Sequence, residues 1–117
     1  MRLPLITVLL LLPTLAFAVP SKHVLFGKVV KVTDGDTITV LTADNVQERI
    51  RLWGIDAPES RGGQPYWKAS HDKLAALVAG KIVTVVRDTR DRNGRIIGWV
   101  LAPDGQWVNL LMVLTAD

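Results

Sequence analysis

Cysteine is missing altogether from the 117 residues. No disulfide framework can therefore brace the chain, and any stability outside the cell must come from packing or a bound ion. Histidine occurs twice, at His23 and His71. Without a His or Cys cluster, nothing suggests a zinc centre. Charge is also missing from the beginning of the chain: after Arg2, no charged residue appears until Lys22. The chain has no internal repeat and no low-complexity segment, which excludes solenoid and fibrous architectures.

The uncharged stretch has its own reading. An apolar run centred on Val8 to Leu12 is followed by Ala16, Phe17, Ala18, a small-residue cleavage pattern. This is the form of a secretory signal peptide over residues 1–18, the alternative being a retained membrane anchor. The expected mature domain is 19–117, about 99 residues, enough for one small core. Loss of Arg2 from the 14 Lys and Arg leaves 13 against 11 acidic side chains, a formal +2. That mild charge permits a nucleic-acid partner without arguing for one. Secretion, or export to a periplasm, is the expected location, with no stable membrane association after cleavage.

β-Branched residues and turn signals then divide the chain. A first strand is expected over 24–32, bulged at Gly27. Asp34 and Gly35 mark a tight turn. Strands follow at 37–42 and 46–55, completing a meander. Gly62, Gly63, Gln64 and Pro65 open a helix, in which Trp67, Ser70, Leu74, Leu77 and Val78 recur at helical spacing until Gly80. Strands at 82–86 and 95–101 flank a polar turn at 91–94. Ile97, Trp99 and Leu101 share one face of the last strand. A final helix begins near Val108. It is apolar all round from Leu110 to Leu114 and so demands burial from several sides. Three strands, a helix and two strands is the order of an OB-fold: an α+β, mainly β fold, with a five-stranded Greek-key barrel, a helix between strands three and four, and a C-terminal helix.

Three stretches carry candidate chemistry. In "RLWGIDAPE" (51–59), Gly54 interrupts the strand alternation and Pro58 fixes the backbone after Asp56. The segment looks built to hold side chains at a strand end, although alone it also reads as an ordinary exit into a loop. In "TDGDTI" (33–38), Asp34 and Gly35 suffice for the turn, so Asp36 is an additional acid where strand two begins. Neighbouring strands bring Asp36 and Asp56 to one end of the sheet. Two such carboxylates repel unless a cation lies between them. With oxygen ligands only, that cation is hard, Ca²⁺ or Mg²⁺, and the carbonyl of Ala57 is a natural third ligand. In "DRNGRI" (91–96), Arg95 alone is a solvated turn arginine. Beside Arg51 and a metal it completes a clamp for a phosphodiester. Glu59 has no evident apolar role and could position or activate a water there.

Together, Asp34-Gly35-Asp36-Thr37, the run from Arg51 to Glu59, and Asn93-Gly94-Arg95 resemble the staphylococcal nuclease (thermonuclease) family, over roughly residues 24–113. The resemblance implies an OB barrel and a Ca²⁺-dependent endonuclease hydrolysing DNA and RNA to 3′-phosphate ends. By position it makes Asp36 and Asp56 calcium carboxylates, Ala57 a carbonyl ligand, and Arg51, Glu59 and Arg95 the catalytic three. The chain departs from the family at Asn93, where many members carry an aromatic residue. It also ends before the aromatic residues and helical structure that follow the second helix, so the domain's C-terminal end is expected to be incomplete. The expected partners are DNA and RNA, single strands preferred, with the protein acting as a monomer. The rivals are a non-catalytic OB module that binds single strands through its basic face, and an inactive truncated nuclease.

Other residues read more simply. His71 and His23 are expected on solvated faces. Trp53 is divided between substrate contact and packing, whereas Trp99 and Trp107 read as core. Arg87, Arg90 and Arg92 form a basic stretch able to follow a nucleic-acid backbone.

Overall fold

The computed structural model describes residues 23–59 and 66–114. The expected signal peptide, the glycines and proline before the first helix, and the last three residues lie outside this range. Strands β1 (Val24–Asp34), β2 (Thr37–Thr42) and β3 (Gln47–Leu52) are followed by helix α1 (Trp67–Val78). Strands β4 (Ile82–Arg90) and β5 (Ile96–Leu101) and helix α2 (Val108–Leu114) complete the order.

The strands close into a barrel in the order β1-β2-β3-β5-β4, with β4 returning to β1. Every pairing is antiparallel except β3 with β5, where Ile50 faces Ile96 and Leu52 faces Gly98. One parallel seam in an otherwise antiparallel barrel is the mark of the OB architecture anticipated from the element order.

Period-two alternation explains the interior. Val29, Ile38, Val40, Ile50, Leu52, Val83, Val85, Ile96 and Val100 point inward and are buried. Leu74 and Val78 of α1, four apart on one helix face, join this core. Full burial of each such side chain stabilises the fold by about 1.5–3 kcal/mol. A helix carrying Gly80 just past its end, at φ 74°, stops where only glycine is unstrained.

Long β1 has to serve two neighbours, and it does so by bending. Register shifts fall between Val29 and Lys31 and between Val32 and Asp34. The bulge expected at Gly27 is therefore displaced toward the hairpin. Gly27 pairs regularly with both Thr42 and Val83. Its lack of a side chain has another cause: a Cβ there would lie 3.0 Å from the Leu41 carbonyl oxygen and 3.0 Å from the Val40 Cβ.

Three further expectations are corrected. On β5 the inward residues are Ile96, Gly98 and Val100, which turns Trp99 to the outside. Trp99 and Trp107 are 37% and 39% exposed and are not core. Trp99 instead stacks on Trp53, centroids 5.3 Å apart, and meets Trp107 edge to face at 6.3 Å. Helix α2 buries Val108, Asn109 and Met112 but leaves Leu110, Val113 and Leu114 at least half exposed. His71 is no bystander: its Nε2 lies 2.9 Å from the Val32 carbonyl and its Nδ1 2.9 Å from Asp72, tying α1 to β1.

Candidate active site

The β1–β2 hairpin turns through Gly35 and Asp36, with Asp34 paired to Thr37. Helix α1 presses on this turn: a Cβ on Gly35 would sit 2.6 Å from Ser70 Oγ. Asp36 is consequently buried, at 5% exposure. A buried carboxylate requires hydrogen bonds and a counter-charge, and the surrounding chain provides both. The Thr37 hydroxyl donates to Oδ1 at 2.8 Å and the Ala57 N–H to Oδ2 at 3.1 Å. The main chain of the turn is tied to the end of β3 as well, since Leu52 N–H donates to the Asp36 carbonyl at 2.8 Å.

Arg51 supplies the counter-charge. It faces outward on β3, and its Nη1 lies 3.5 Å from Asp36 Oδ2. The same nitrogen donates to the Leu52 carbonyl at 3.1 Å and to the Ile55 carbonyl. Gly54, at φ 79°, lets the chain curl back so that these carbonyls meet the guanidinium. The glycine that breaks the strand pattern thus builds a socket for the arginine three positions earlier.

Arg95 arrives from the β4–β5 connection. Its Nη1 donates to Thr37 Oγ1 at 3.3 Å and its Nε to Asp91 Oδ2 at 2.8 Å. Thr37 therefore accepts from Arg95 while donating to Asp36, and the four side chains Arg95, Thr37, Asp36 and Arg51 form one continuous chain of polar contacts. Asp91 anchors the turn through its other oxygen, which accepts the N–H groups of Asn93 at 2.9 Å and Arg95 at 3.0 Å. Burial works against the Asp91 charge. The two N–H groups and the Arg95 guanidinium outweigh it and hold the carboxyl below its ordinary value.

Of the six residues singled out from sequence, Asp36, Arg51, Arg95 and the backbone of Ala57 are drawn into this chain, directly or through Thr37. Asp56 is exposed beside it. It lines a groove of about 490 Å³ with Arg51, Trp53, Asp88, Asp91 and Ile97. Glu59 is exposed in the irregular segment after β3. Sequence reasoning passed over Thr37 and Asp91. The Asp-x-Asn-Gly pattern of an Asx turn marks Asp91 in retrospect, and Thr37 closes the Asp34-Gly35-Asp36-Thr37 motif, which assigned it no role of its own. Of the basic stretch, Arg90 is engaged by Glu48 in a two-pronged pair at 3.1 and 3.2 Å and also donates to the Gly94 carbonyl.

All candidate metal donors here are oxygens. Among the described residues no trio of His, Cys, Asp or Glu side chains is gathered for a metal. A cation at this place would thus need backbone carbonyls or water besides the two aspartates. That mixed oxygen set suits a hard, loosely coordinated ion such as Ca²⁺. Asp36 keeps acceptor capacity for it, because a carboxylate has about four lone-pair directions and Asp36 receives contacts from Thr37, Ala57 and Arg51.

Fold and site together define an OB barrel with a buried carboxylate flanked by two arginines at the strand ends. Comparison with known proteins narrows the class. A family profile described as staphylococcal nuclease homologue matches residues 49–115, more than half of the chain. An Escherichia coli protein named an uncharacterized endonuclease is 54% identical over 87 residues, covering 74% of this chain and 55% of the relative. A micrococcal nuclease of Shigella flexneri is 42% identical over 89 residues, 76% of this chain and 49% of its own. A staphylococcal-like nuclease of Arabidopsis thaliana is 45% identical over 65 residues, 56% of this chain and 19% of its own. The chain belongs to the staphylococcal nuclease family. It spans about half the length of the bacterial relatives it matches.

Proposed function

We propose that this domain is a calcium-dependent endonuclease that hydrolyses phosphodiester bonds of DNA and RNA, with single strands preferred and 3′-phosphate ends left behind. The observation that carries this reading is the polar chain Arg95–Thr37–Asp36–Arg51. It sets two cationic forks on either side of one buried carboxylate, on elements distant in sequence.

Each arginine is fixed by some of its donors and keeps others. Arg51 is held through Nη1, and Arg95 through Nε and Nη1. Among the described residues no contact engages Nη2 of either, and it would serve the oxygens of a phosphodiester, where a planar fork matches the charge that grows toward the transition state. Asp36, Asp56 and the Ala57 carbonyl would hold the cation. When bound, Ca²⁺ acts as a Lewis acid toward a phosphate oxygen and orients water. Glu59, exposed in the segment after β3, would accept a proton from the attacking water or position it. Protein groups thus arrive with their orientation already determined, so little reorganisation remains for the reaction itself. The leader expected over residues 1–18 would deliver this activity to a secreted or periplasmic location.

The reading is tested with purified protein and a labelled single-stranded DNA, in Ca²⁺ and then in excess chelator, with the product ends mapped. Cleavage that needs Ca²⁺ and leaves 3′-phosphates is expected. Folded protein that leaves the strand intact in Ca²⁺ refutes the endonuclease, and cleavage unchanged by chelator refutes the metal.

A further inference from the structure

The outer face of the β1–β2–β3 meander continues away from the site in regular rows. In the first row, Thr37 of β2 lies between Asp34 and Arg51. In the next, Thr39 lies between Lys31 and Arg49. Side chains two apart on a strand share a face, so Arg49 and Arg51 both point outward while Ile50 is buried between them. Bulging of β1 at Val30 brings Lys31, and not an apolar neighbour, opposite Thr39. This second row forms the floor and walls of a groove of about 540 Å³, lined by Val30, Lys31, Thr39, Gln47 and Arg49.

Arg49 is not a loosely waving surface charge. Its Nη2 donates to the Asn93 carbonyl at 2.6 Å, in the same turn that positions Arg95. The guanidinium is thereby anchored beside the candidate site while the residue stays exposed. Lys31 stands across Thr39 from it. The neighbouring acid, Glu48, is already neutralised by Arg90. The rows are about 6.8 Å apart along the strands, a step that a stretched single strand can match with successive phosphates.

We propose that this groove is an extended backbone-binding track, in which Lys31 and Arg49 grip a phosphate of single-stranded nucleic acid adjoining the one held by Arg51 and Arg95. The inference rests on the nuclease reading and adds to it the path of the strand. Charge complementarity and the polar floor favour a polyanion over an apolar occupant, and outward-facing donors on a sheet suit backbone contacts without base recognition.

The test measures binding of a twelve-nucleotide single-stranded DNA to the full chain by fluorescence anisotropy, in chelator, over a range of salt. Lys31→Gln, Arg49→Gln, the double variant and Lys68→Gln, a charge removal on the exposed side of α1 and outside the groove, are compared with wild type. Removing one phosphate-binding side chain lowers the slope of log affinity against log salt by about 0.7 for a single strand. The two single variants are expected to show about that decrease each, the double variant about twice as much, and Lys68→Gln none. Should Arg49→Gln disturb the Asn93 turn, Lys31→Gln alone must still shift the slope. Wild-type protein that cuts DNA in Ca²⁺, with a double variant that keeps the wild-type slope, overturns the track and spares the nuclease. Wild-type protein that neither binds nor cuts overturns both.

Discussion

Asn109 gives the sharpest energetic test of the fold. It is a polar residue on an apolar helix, 1% exposed, and it joins three parts of the molecule. Its Oδ1 accepts the Val100 N–H of β5 at 2.8 Å. Its Nδ2 donates to the Trp53 carbonyl at 3.0 Å and the Gly98 carbonyl at 3.2 Å. Asn109→Ala removes all three hydrogen bonds, but the costs are unequal. The Gly98 carbonyl keeps the Trp53 N–H at 2.9 Å, and the Trp53 carbonyl is only partly buried, so water can replace the amide there. The Val100 N–H is left in the interior without an acceptor, which costs about 1–3 kcal/mol. The small void adds roughly 1 kcal/mol. The expected loss is about 2–4 kcal/mol, a large part of the roughly 5–15 kcal/mol of a small domain, and lowers Tm by about 10–25 °C. Urea unfolding followed by circular dichroism measures it. Asn109→Asp retains the acceptor but sets a carboxylate oxygen against two carbonyls, and should be worse at neutral pH. A loss below about 1 kcal/mol for Asn109→Ala, or an Asp variant as stable as wild type, would refute this account of how α2 is fastened.

Arg95→Gln removes a phosphate donor while Asp91 still holds its turn. Cleavage of single-stranded DNA should fall by about 10²–10³ in kcat, with the melting curve nearly unchanged. Asp91→Asn tests the acid limb of stability. Because the folded carboxyl is held below its ordinary value of 3.8, its contribution is present above that value and vanishes as pH falls through the lower folded value. Wild type and variant should therefore differ near neutral pH and converge in strong acid, as read from chemical denaturation at each pH. Gly98→Ala should destabilise by about 1–3 kcal/mol, since the added Cβ would meet the Val86 carbonyl oxygen at 2.8 Å. A variant as stable as wild type in a thermal melt would show that β4 and β5 can separate there.

The element order, the alternation that fills the barrel and the three motifs are legible in the linear chain. Val29, Val40, Ile50 and Val100 obey period two, and Leu74 and Val78 obey the helical period, because local geometry alone decides which residues share a face. Asp36, Arg51 and Arg95 stand out because acids and arginines beside turn glycines have no packing role to explain them. What the chain cannot announce are relations between distant residues. Tryptophan is apolar, which points Trp99 to the core, yet the inward face of β5 is fixed by pairing of Ile96 with Ile50 and Gly98 with Leu52. His71 looks solvated in sequence, and its Val32 partner lies 39 positions earlier. Sequence determined which side chains carry charge and which residues of a strand or helix share a face, since those follow from local chemistry and geometry. Tertiary structure alone decided that Thr37 bridges Arg95 to Asp36 and that Arg49 grips the Asn93 turn. Such links exist only once closure of the barrel has fixed the register between strands far apart in the chain.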